Sequence, residues 1–245
     1  MPDDVSEPRL FRDRPVSFVR RGGRMSDAQE RAWSELAPRY ELDVQRDAAS
    51  TSILAGSAID PVAVWGRAAV LIAEIGSGQG HAIIHAAMER PDVDFLAIEV
   101  FRAGLARTML DAEREGLDNV RVVEANAPEV LRHLLPPGSL DEVWVFFPDP
   151  WHKNKHTKRR LVTDEFSPIA AGALRPGGVL RLATDWEDYA LQMREVLDAS
   201  DDFERAFEGE WAPRYEGRVV TAFERKGAAK GRAIRDLAYR RRASS

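Results

Sequence analysis

The sequence lacks cysteine entirely over its 245 residues. This absence excludes a disulfide framework, a thiolate metal site and a cysteine nucleophile, and it suits a reducing compartment. No apolar run approaches the roughly 20 residues that a membrane span needs. The acidic start of the chain also lacks the apolar stretch of a signal peptide. We therefore expect a cytoplasmic protein with no membrane segment.

The net charge is −5, from 35 Lys and Arg against 40 Asp and Glu, but an excess of positive charge is concentrated in three segments. Residues 1–25 carry +2, residues 151–160 carry +5 and residues 225–242 carry +7, which leaves −19 on the rest of the chain. An acidic body with separate basic segments is typical of a protein that steers a polyanion. The alternative is that the basic termini are only solvated. The middle segment differs from them because it follows a buried-looking strand and contains aromatic residues.

Apolar runs of strand length alternate with helical patterns from residue 70 onward. Hydrophobic residues make up 44% of the chain, as in a globular protein. The alternation itself predicts a Rossmann-like α/β fold, a mainly parallel sheet with helices on both faces. Capping-box spacing at Ser26 predicts a short helix through residue 35 or 36. Strands are predicted over 70–75, 94–100, 120–125, 142–147 and 179–184, with an antiparallel pair at 203–207 and 219–223. Helices are predicted over 82–88, 101–115, 161–174 and 186–199, with a further helix start at 126.

Three glycines in five residues follow the first strand, in Glu74-Ile75-Gly76-Ser77-Gly78-Gln79-Gly80. The spacing is not that of a dinucleotide fingerprint, because His81 stands where the third glycine would be. Glycines allow a tight turn and a close approach of the backbone to a ligand. The acid at position 74 disfavours a pyrophosphate and favours a ligand with an ammonium group. The alternatives are a plain strand-to-helix turn and a solvated acid.

Two further polar residues end the next strands. Glu99 follows the second strand, where a carboxylate can accept hydrogen bonds from two ribose hydroxyls. Asn126 follows the third strand and could bond an adenine edge, cap a helix, or do both. An amino-acid group, a ribose and an adenine together make S-adenosylmethionine, which we predict as the cofactor.

The fourth strand runs into Pro148-Asp149-Pro150-Trp151, and five cations follow within nine residues. Two prolines restrict the backbone of Asp149 and remove neighbouring N–H donors. Trp151 could stack on a base, and the cations suit phosphates. The alternative is an exposed turn with a solvated basic run.

At these residues the sequence resembles the bacterial tRNA (guanine-N(7)-)-methyltransferases. The resemblance covers roughly residues 20–227 and implies a class I methyltransferase domain over 41–227, with a basic extension over 1–40 and a basic tail over 228–245. The matching segments are Gly23-Arg24-Met25, Glu74-Ile75-Gly76 with Gly78 and Gly80, Phe147 to Trp151, Lys158-Arg159-Arg160, Thr184-Asp185-Trp186, and Thr221 to Glu224.

The resemblance implies methyl transfer to N7 of guanine 46 in the tRNA variable loop, with tRNA as partner and Asp149 as the catalytic residue. It places the cofactor at Glu74, Gly76, Gly78, Gly80, Glu99, Asn126 and Asp149. It places the substrate guanosine at Lys153, Asp185, Thr221, Ala222, Phe223 and Glu224, and the RNA at Lys155, His156, Thr157, Lys158, Arg159 and Arg160. Asn126 and Ala222 depart from the frequent Asp and Lys of the family.

The chemistry agrees with this implied reaction. Guanine N7 carries no proton, so its attack on a methyl group needs no strong base, and a fixed carboxylate would stabilise the positive charge that forms on the base. Asp149 is therefore expected to orient the base through its N1/N2 edge, and Asp185 is a second candidate that could instead cap the helix beginning at 186.

No metal site is expected, because the five histidines form no His-Glu-x-x-His pattern. Two other functions remain open from the residues alone. One is a methyltransferase for a small molecule or another RNA, against which the basic segment weighs. The other is a non-catalytic RNA-binding protein, against which the acids at 74, 99 and 149 weigh. The oligomeric state is left open.

Overall fold

Seven strands form one sheet. The computed structural model describes residues 25–47, 51–220, 222–229 and 231–243. In chain order they are β1 (Val70–Ile75), β2 (Val93–Glu99), β3 (Val120–Glu124), β4 (Leu140–Phe146), β5 (Leu174–Thr184), β6 (Phe203–Arg205) and β7 (Arg235–Arg241). Their order across the sheet is β3-β2-β1-β4-β5-β7-β6. Strands β1 to β5 pair in parallel and β7 pairs antiparallel with β5 and β6, which confirms the predicted mixed sheet.

Eight α-helices connect or flank these strands within the described ranges. They are α1 (Asp27–Tyr40), α2 (Pro61–Trp65), α3 (His81–Glu89), α4 (Arg102–Arg114), α5 (Ala127–Glu129), α6 (Phe166–Ala173), α7 (Glu187–Asp198) and α8 (Ala222–Ala229). A π-helical turn, Val130–Leu134, continues α5, and a 3-10 helix spans Asn154–Arg159. Within those same ranges, no helix combines the length and the apolar character that crossing a membrane demands.

Alternate residues of the central strands fill two separate cores, one on each face of the sheet. Ile72, Phe95 and Trp144 belong to the core that α3 and α4 cover. Leu71 and Leu96, their neighbours in sequence, belong to the other core, which α6 and α7 cover. Because both faces are buried, these strands are continuously apolar rather than alternating.

The point where the strand order reverses lies between β1 and β4. Ile75 pairs with Ile98 of β2 and with Val145 of β4, so the loops that follow β1, β2 and β4 begin side by side. In open parallel sheets, ligands bind at this edge, at the reversal of strand order.

The capping box at Ser26 is confirmed, because the Ser26 hydroxyl accepts from the Gln29 N–H and the Gln29 side chain accepts from the Ser26 N–H. The helix runs on to Tyr40, beyond the predicted end, since Trp33 and Tyr40 are buried. Helix α6 begins at Phe166 rather than at 161, because the chain from Arg160 to Glu165 is a connection tied to α7.

The predicted strand over 219–223 is wrong. Residues 222–229 form α8, and the last strand is Arg235–Arg241, within the segment predicted as a basic tail. The strand has arginines at both ends, but the four residues after the first arginine, from Asp236 to Tyr239, are buried. This strand lies between β5 and β6, so the segment predicted as a tail contributes an inner strand of the sheet.

Candidate active site

The three glycines after β1 form a turn with left-handed backbone at every second residue, since φ is 71° at Gly76, 60° at Gly78 and 75° at Gly80. The Gly76 N–H donates to the Ile98 carbonyl at 2.8 Å, which fixes the turn to β2. A Cβ atom at Gly76 would meet no other atom within 4 Å. The turn therefore leaves open space above the sheet edge, bounded by backbone.

The turn is also held by a glycine that no sequence motif had indicated. A Cβ at Gly104, in the first turn of α4, would lie 2.2 Å from the Gly78 carbonyl oxygen. Such a contact is impossible for any residue larger than glycine, so α4 and the glycine turn approach as closely as their backbones allow.

Glu74, at the end of β1, is 5% exposed and is aimed beneath this turn. The backbone N–H of Ile83 donates to its carboxyl group, but Oε2 is buried with no hydrogen-bond partner among the described residues, as is the nearby Ser77 hydroxyl. Burial, followed by the charge of Glu99, raises the pKa of Glu74 to about 8. A buried acceptor without a donor is costly, and it marks a place where a cationic ligand group would be stabilised.

Glu99 supports the glycine turn from the end of β2. Its Oε2 accepts from the Gly78 N–H at 2.9 Å, and its Oε1 accepts from the N–H groups of Val100 and Phe101 at 2.6 and 3.0 Å. A carboxylate has about four acceptor positions, so these three bonds leave room for about one more. The residue thus orders the turn and retains limited capacity for a ligand.

Asn126 occupies the N-cap position of α5, but its side chain makes no capping bond. Its amide donates instead to Oε1 of Glu129 at 3.1 Å, and Oε2 of Glu129 accepts from the Ile53 N–H at 2.9 Å. The Asn126 N–H donates to the Thr51 carbonyl at 2.8 Å. Of the roles left open for Asn126, the side-chain cap is therefore not formed, and Asn126 instead joins the end of β3 to the segment around Thr51.

The loop after β4 contains the two residues other than glycine that have left-handed backbone among the described residues. These are Phe147, with φ of 53°, and Trp151, with φ of 44°, and they flank the Pro148-Asp149-Pro150 segment. Each such residue costs about 1–3 kcal/mol and is retained where the surroundings enforce it, most often at functional sites. The half-buried Asp149 is held at the same sheet edge as the glycine turn.

The basic segment that follows does not act as one uniform surface. Lys153, Lys155 and Lys158 are exposed, whereas Arg159 stacks over the Trp151 ring at 4.2 Å. His156 and Thr157 are half-buried, and the His156 ring meets Trp151 edge-on. Trp151 is therefore already covered by two neighbours of its own segment. Arg160, predicted to bind RNA, is 5% exposed and is directed into the protein.

The two acids predicted to contact substrate are paired with arginines. Asp185 accepts from Arg232 at 2.7 Å, and it does not cap α7, whose N-cap is Trp186. Glu224 accepts from Arg218 at 2.7 Å, and Arg218 also pairs with Asp236 of β7. Thr221 lies outside the described residues, as do the side chains of Ala222 and Phe223.

Comparisons with known proteins place this arrangement in a family. Residues 68–237 match the family described as "Putative methyltransferase". The tRNA (guanine-N(7)-)-methyltransferase of Arthrobacter sp. (strain FB24) is 46% identical, over 93% of this chain and 86% of the relative. The chain belongs to the tRNA (guanine-N(7)-)-methyltransferase family. The family member from Methylococcus capsulatus (strain ATCC 33009 / NCIMB 11132 / Bath) is 44% identical, over 97% of both chains.

A solved structure outside the family agrees on the fold. The crystal structure of the 16S rRNA methyltransferase KamB aligns with a TM-score of 0.53 at 16% identity, over 94% of this chain and 99% of that one. At this identity the likeness concerns the fold alone, and it confirms the class I methyltransferase architecture predicted from the sequence.

For a tRNA (guanine-N(7)-)-methyltransferase family member, the arginines that pair with the predicted substrate acids are the main residues that sequence reasoning missed. Arg218 is completely buried, and its guanidinium lies 5.2 Å from the Phe147 ring, next to the Asp149 loop. Arg232 lies over Trp186 at 4.9 Å. Arg232 lies in a segment that looked only basic and is 47 residues from Asp185. Arg218 lies outside the three basic segments, and its second partner, Asp236, is 18 residues away. Within the described ranges, no His, Asp and Glu side chains group in a way that could hold a metal ion.

Proposed function

We propose that this protein transfers the methyl group of S-adenosylmethionine to N7 of guanine 46 in the tRNA variable loop. One observation carries the proposal: Glu74 and Asp149 lie at the ends of two adjacent strands, where the strand order reverses. Glu74 has a buried carboxylate oxygen without a donor among the described residues, and Asp149 lies between two prolines and two left-handed residues. The names of the relatives supply tRNA and guanine N7, and position 46 comes from the family resemblance.

The cofactor fits the residues that are present. Glu74 Oε2 and Ser77 Oγ are buried without partners among the described residues, beneath a turn of open backbone. Glu74 would hold the ammonium group, and the glycine turn, with Gly76, Gly78 and Gly80, would line the amino-acid end. Glu99 would accept from the ribose, and Asn126 would meet the adenine. When bound, S-adenosylmethionine supplies an electrophilic methyl group on a sulfonium.

The protein's own contribution to the reaction would be placement and charge. Guanine N7 needs no deprotonation, so the enzyme has to hold the base in line with the methyl group, which can supply about 7–11 kcal/mol of the barrier. Asp149 would orient the base and stabilise the positive charge that develops on it. Lys153, Asp185 and residues 221–224 would surround the nucleoside. On binding, Asp185 and Glu224 would release their partners Arg232 and Arg218 and contact the base instead.

The function is tested by incubating the protein with labelled S-adenosylmethionine and total tRNA. Digestion and mass spectrometry of the nucleosides should reveal 7-methylguanosine. Reductive cleavage of the RNA at the methylated base should map it to position 46, and a transcript with adenosine at this position should accept no label. Label in a different nucleoside would contradict the proposed reaction, and label at another guanine would contradict only the position.

Replacing Glu99 by alanine should weaken the binding of S-adenosylhomocysteine, measured by calorimetry, by about 10–100-fold. Hydrogen bonds to a charged group contribute about 1.5–3 kcal/mol, and this carboxylate also orders the turn through the Gly78 N–H. The exposed Glu89, at the far end of α3, provides the control, and its alanine variant should bind normally. Equal dissociation constants for the Glu99 variant and the wild type would remove this residue from the cofactor site.

Replacing Lys155 and Lys158 together by alanine should weaken tRNA binding and flatten its salt dependence. Each lost phosphate contact lowers the slope of log K against log salt by about 0.7–0.9, so the double variant should lose about 1.5. Arg240 is exposed and pairs with Val179 at the opposite end of the sheet, so its alanine variant should leave the slope unchanged. An unchanged slope in the double lysine variant would place the RNA elsewhere.

A further inference from the structure

The guanidinium of Arg160 is buried, and each of its three nitrogens donates to a protein group. Its Nε donates to the Pro150 carbonyl at 2.8 Å, its Nη1 donates to Oε1 of Gln192 at 2.8 Å, and its Nη2 pairs with Asp188. Its plane lies over the Tyr189 ring at 4.7 Å. Three of its five N–H donors are used inside the protein, and because the residue is only 5% exposed, the other two have little access to a phosphate.

The bond from Arg160 to Pro150 acts on the residue directly after Asp149. Prolines at 148 and 150 lack the N–H donors through which the backbone on either side of Asp149 could bond to the rest of the protein. At the other end of the loop, the Phe147 N–H donates to the Ala183 carbonyl at 2.8 Å. Arg160 supplies the corresponding attachment on the side that follows Asp149.

The partners of Arg160 connect this attachment to α7. Asp188, Tyr189 and Gln192 lie on consecutive turns of that helix, and the Tyr189 hydroxyl accepts from the Val162 N–H at 3.1 Å. Burial raises the pKa of Tyr189, the hydrogen bonds from Val162 and Leu161 and the charge of Arg160 oppose this rise, and the charge of Asp149 adds to it. The aspartate, the tyrosine and the arginine therefore lie close enough to interact.

We propose that Arg160 is a positioning residue for Asp149: it fixes the 150–151 peptide, one residue after the aspartate, against α7, and the RNA-binding part of the basic segment ends before it. The inference rests on the function proposed above, since it assigns to Asp149 a role in the methyl transfer. A planar guanidinium is needed because its nitrogens point to a carbonyl, an amide and a carboxylate in fixed directions, which the single ammonium of lysine cannot reproduce.

The test compares Arg160→Gln and Arg160→Lys with the wild type. We measure kcat per folded molecule at saturating tRNA and S-adenosylmethionine, the dissociation constant of tRNA at several salt concentrations, and the thermal midpoint. We expect kcat to fall about tenfold in both variants, because a displacement of about 1 Å costs about 100-fold and a loosened loop is displaced by less. The dissociation constant of tRNA and its salt slope should stay within about twofold of the wild type.

Arg194→Gln is the matched control. Arg194 also lies on α7, but its partners are Glu210 and Trp211, away from the Asp149 loop. Its variant should lose stability without losing kcat, which separates positioning from a general loss of packing. Should Arg160→Gln fail to fold, Arg160→Lys, which keeps the charge and nearly the length of the side chain, decides the question.

Three results would overturn the inference. An unchanged kcat in a folded Arg160 variant would show that the attachment does not position the aspartate. A weaker tRNA affinity with a shallower salt slope would make Arg160 a phosphate contact, as the sequence resemblance implies. A fall in kcat equal to that of Arg194→Gln would make it a packing residue only. Failure of the wild type to form 7-methylguanosine in the same assay would instead contradict the proposed function.

Discussion

Asp149→Ala should lower kcat by about 1000-fold while the protein stays folded. Methyl transfer leaves a positive charge on the guanine, and removing one preorganised group that stabilises such a charge typically costs about 100- to 1000-fold. Here the loss should lie at the upper end, because the same carboxylate would also orient the base. The loop already holds Asp149 between Phe147 and Trp151, so little entropy is left to lose on binding.

The measurement is single-turnover methyl transfer to tRNA, with the thermal midpoint recorded beside it. Asp164 is an exposed aspartate on the same connection between β4 and β5, so Asp164→Ala is the matched control and should be fully active. Asp149→Asn should retain more activity than the alanine variant, since its amide oxygen still accepts a hydrogen bond but no longer carries the charge. A kcat within tenfold of the wild type for Asp149→Ala would contradict the assigned role.

The five parallel strands were predictable because they depend on local pattern. β1 is observed at Val70–Ile75, as predicted, since a run of buried apolar residues between two turns leaves one arrangement. Glu74 and Glu99 lie at the ends of β1 and β2, and Asp149 lies three residues beyond the end of β4. The sequence therefore predicts that these residues share one edge of the sheet, whereas the order that makes the three strands neighbours comes from the structure.

What the sequence could not reveal depends on partners distant along the chain. Arg160 is the last of five cations within residues 153–160, and only the carbonyl of Pro150 and the residues of α7 make it an internal residue. Asp236 reads as part of a basic tail, yet Arg218 neutralises it in the interior and permits an inner strand there. Charge patterns are read as surface by default, so buried ion pairs between separate segments are misassigned.

Glu74→Gln should weaken the binding of S-adenosylhomocysteine about 100-fold near pH 8, since removing one partner of a buried charge pair costs about 2–5 kcal/mol. In the wild type the affinity should rise with pH toward 8. Burial and the charge of Glu99 raise the pKa of Glu74 to about 8, so below this value the carboxyl group must release a proton to pair with the ammonium. At still higher pH the ligand's own ammonium group loses its proton, and the affinity should fall again.

The glutamine variant should show only the descending part of this profile. Calorimetry at pH 7 in two buffers of different ionisation enthalpy should detect the release of nearly one proton per ligand bound by the wild type and none by the variant. An ascending profile that survives in Glu74→Gln would assign the proton to another group.

The same substitution should stabilise the ligand-free protein, which distinguishes a binding residue from a structural one. A carboxyl group with a pKa of about 8 in the folded state and 4.5 in the unfolded state binds its proton more tightly when folded. Its contribution is therefore favourable at low pH and is lost as pH rises from 4.5 to 8, by at most about 1.4 kcal/mol per unit. The thermal midpoint of Glu74→Gln should exceed that of the wild type by a margin that grows over this window. A less stable variant at pH 8 would mean that the charge at position 74 stabilises the fold. A variant that is more stable but binds poorly would mean that the wild type keeps a buried, unpaired carboxylate because ligand binding requires it.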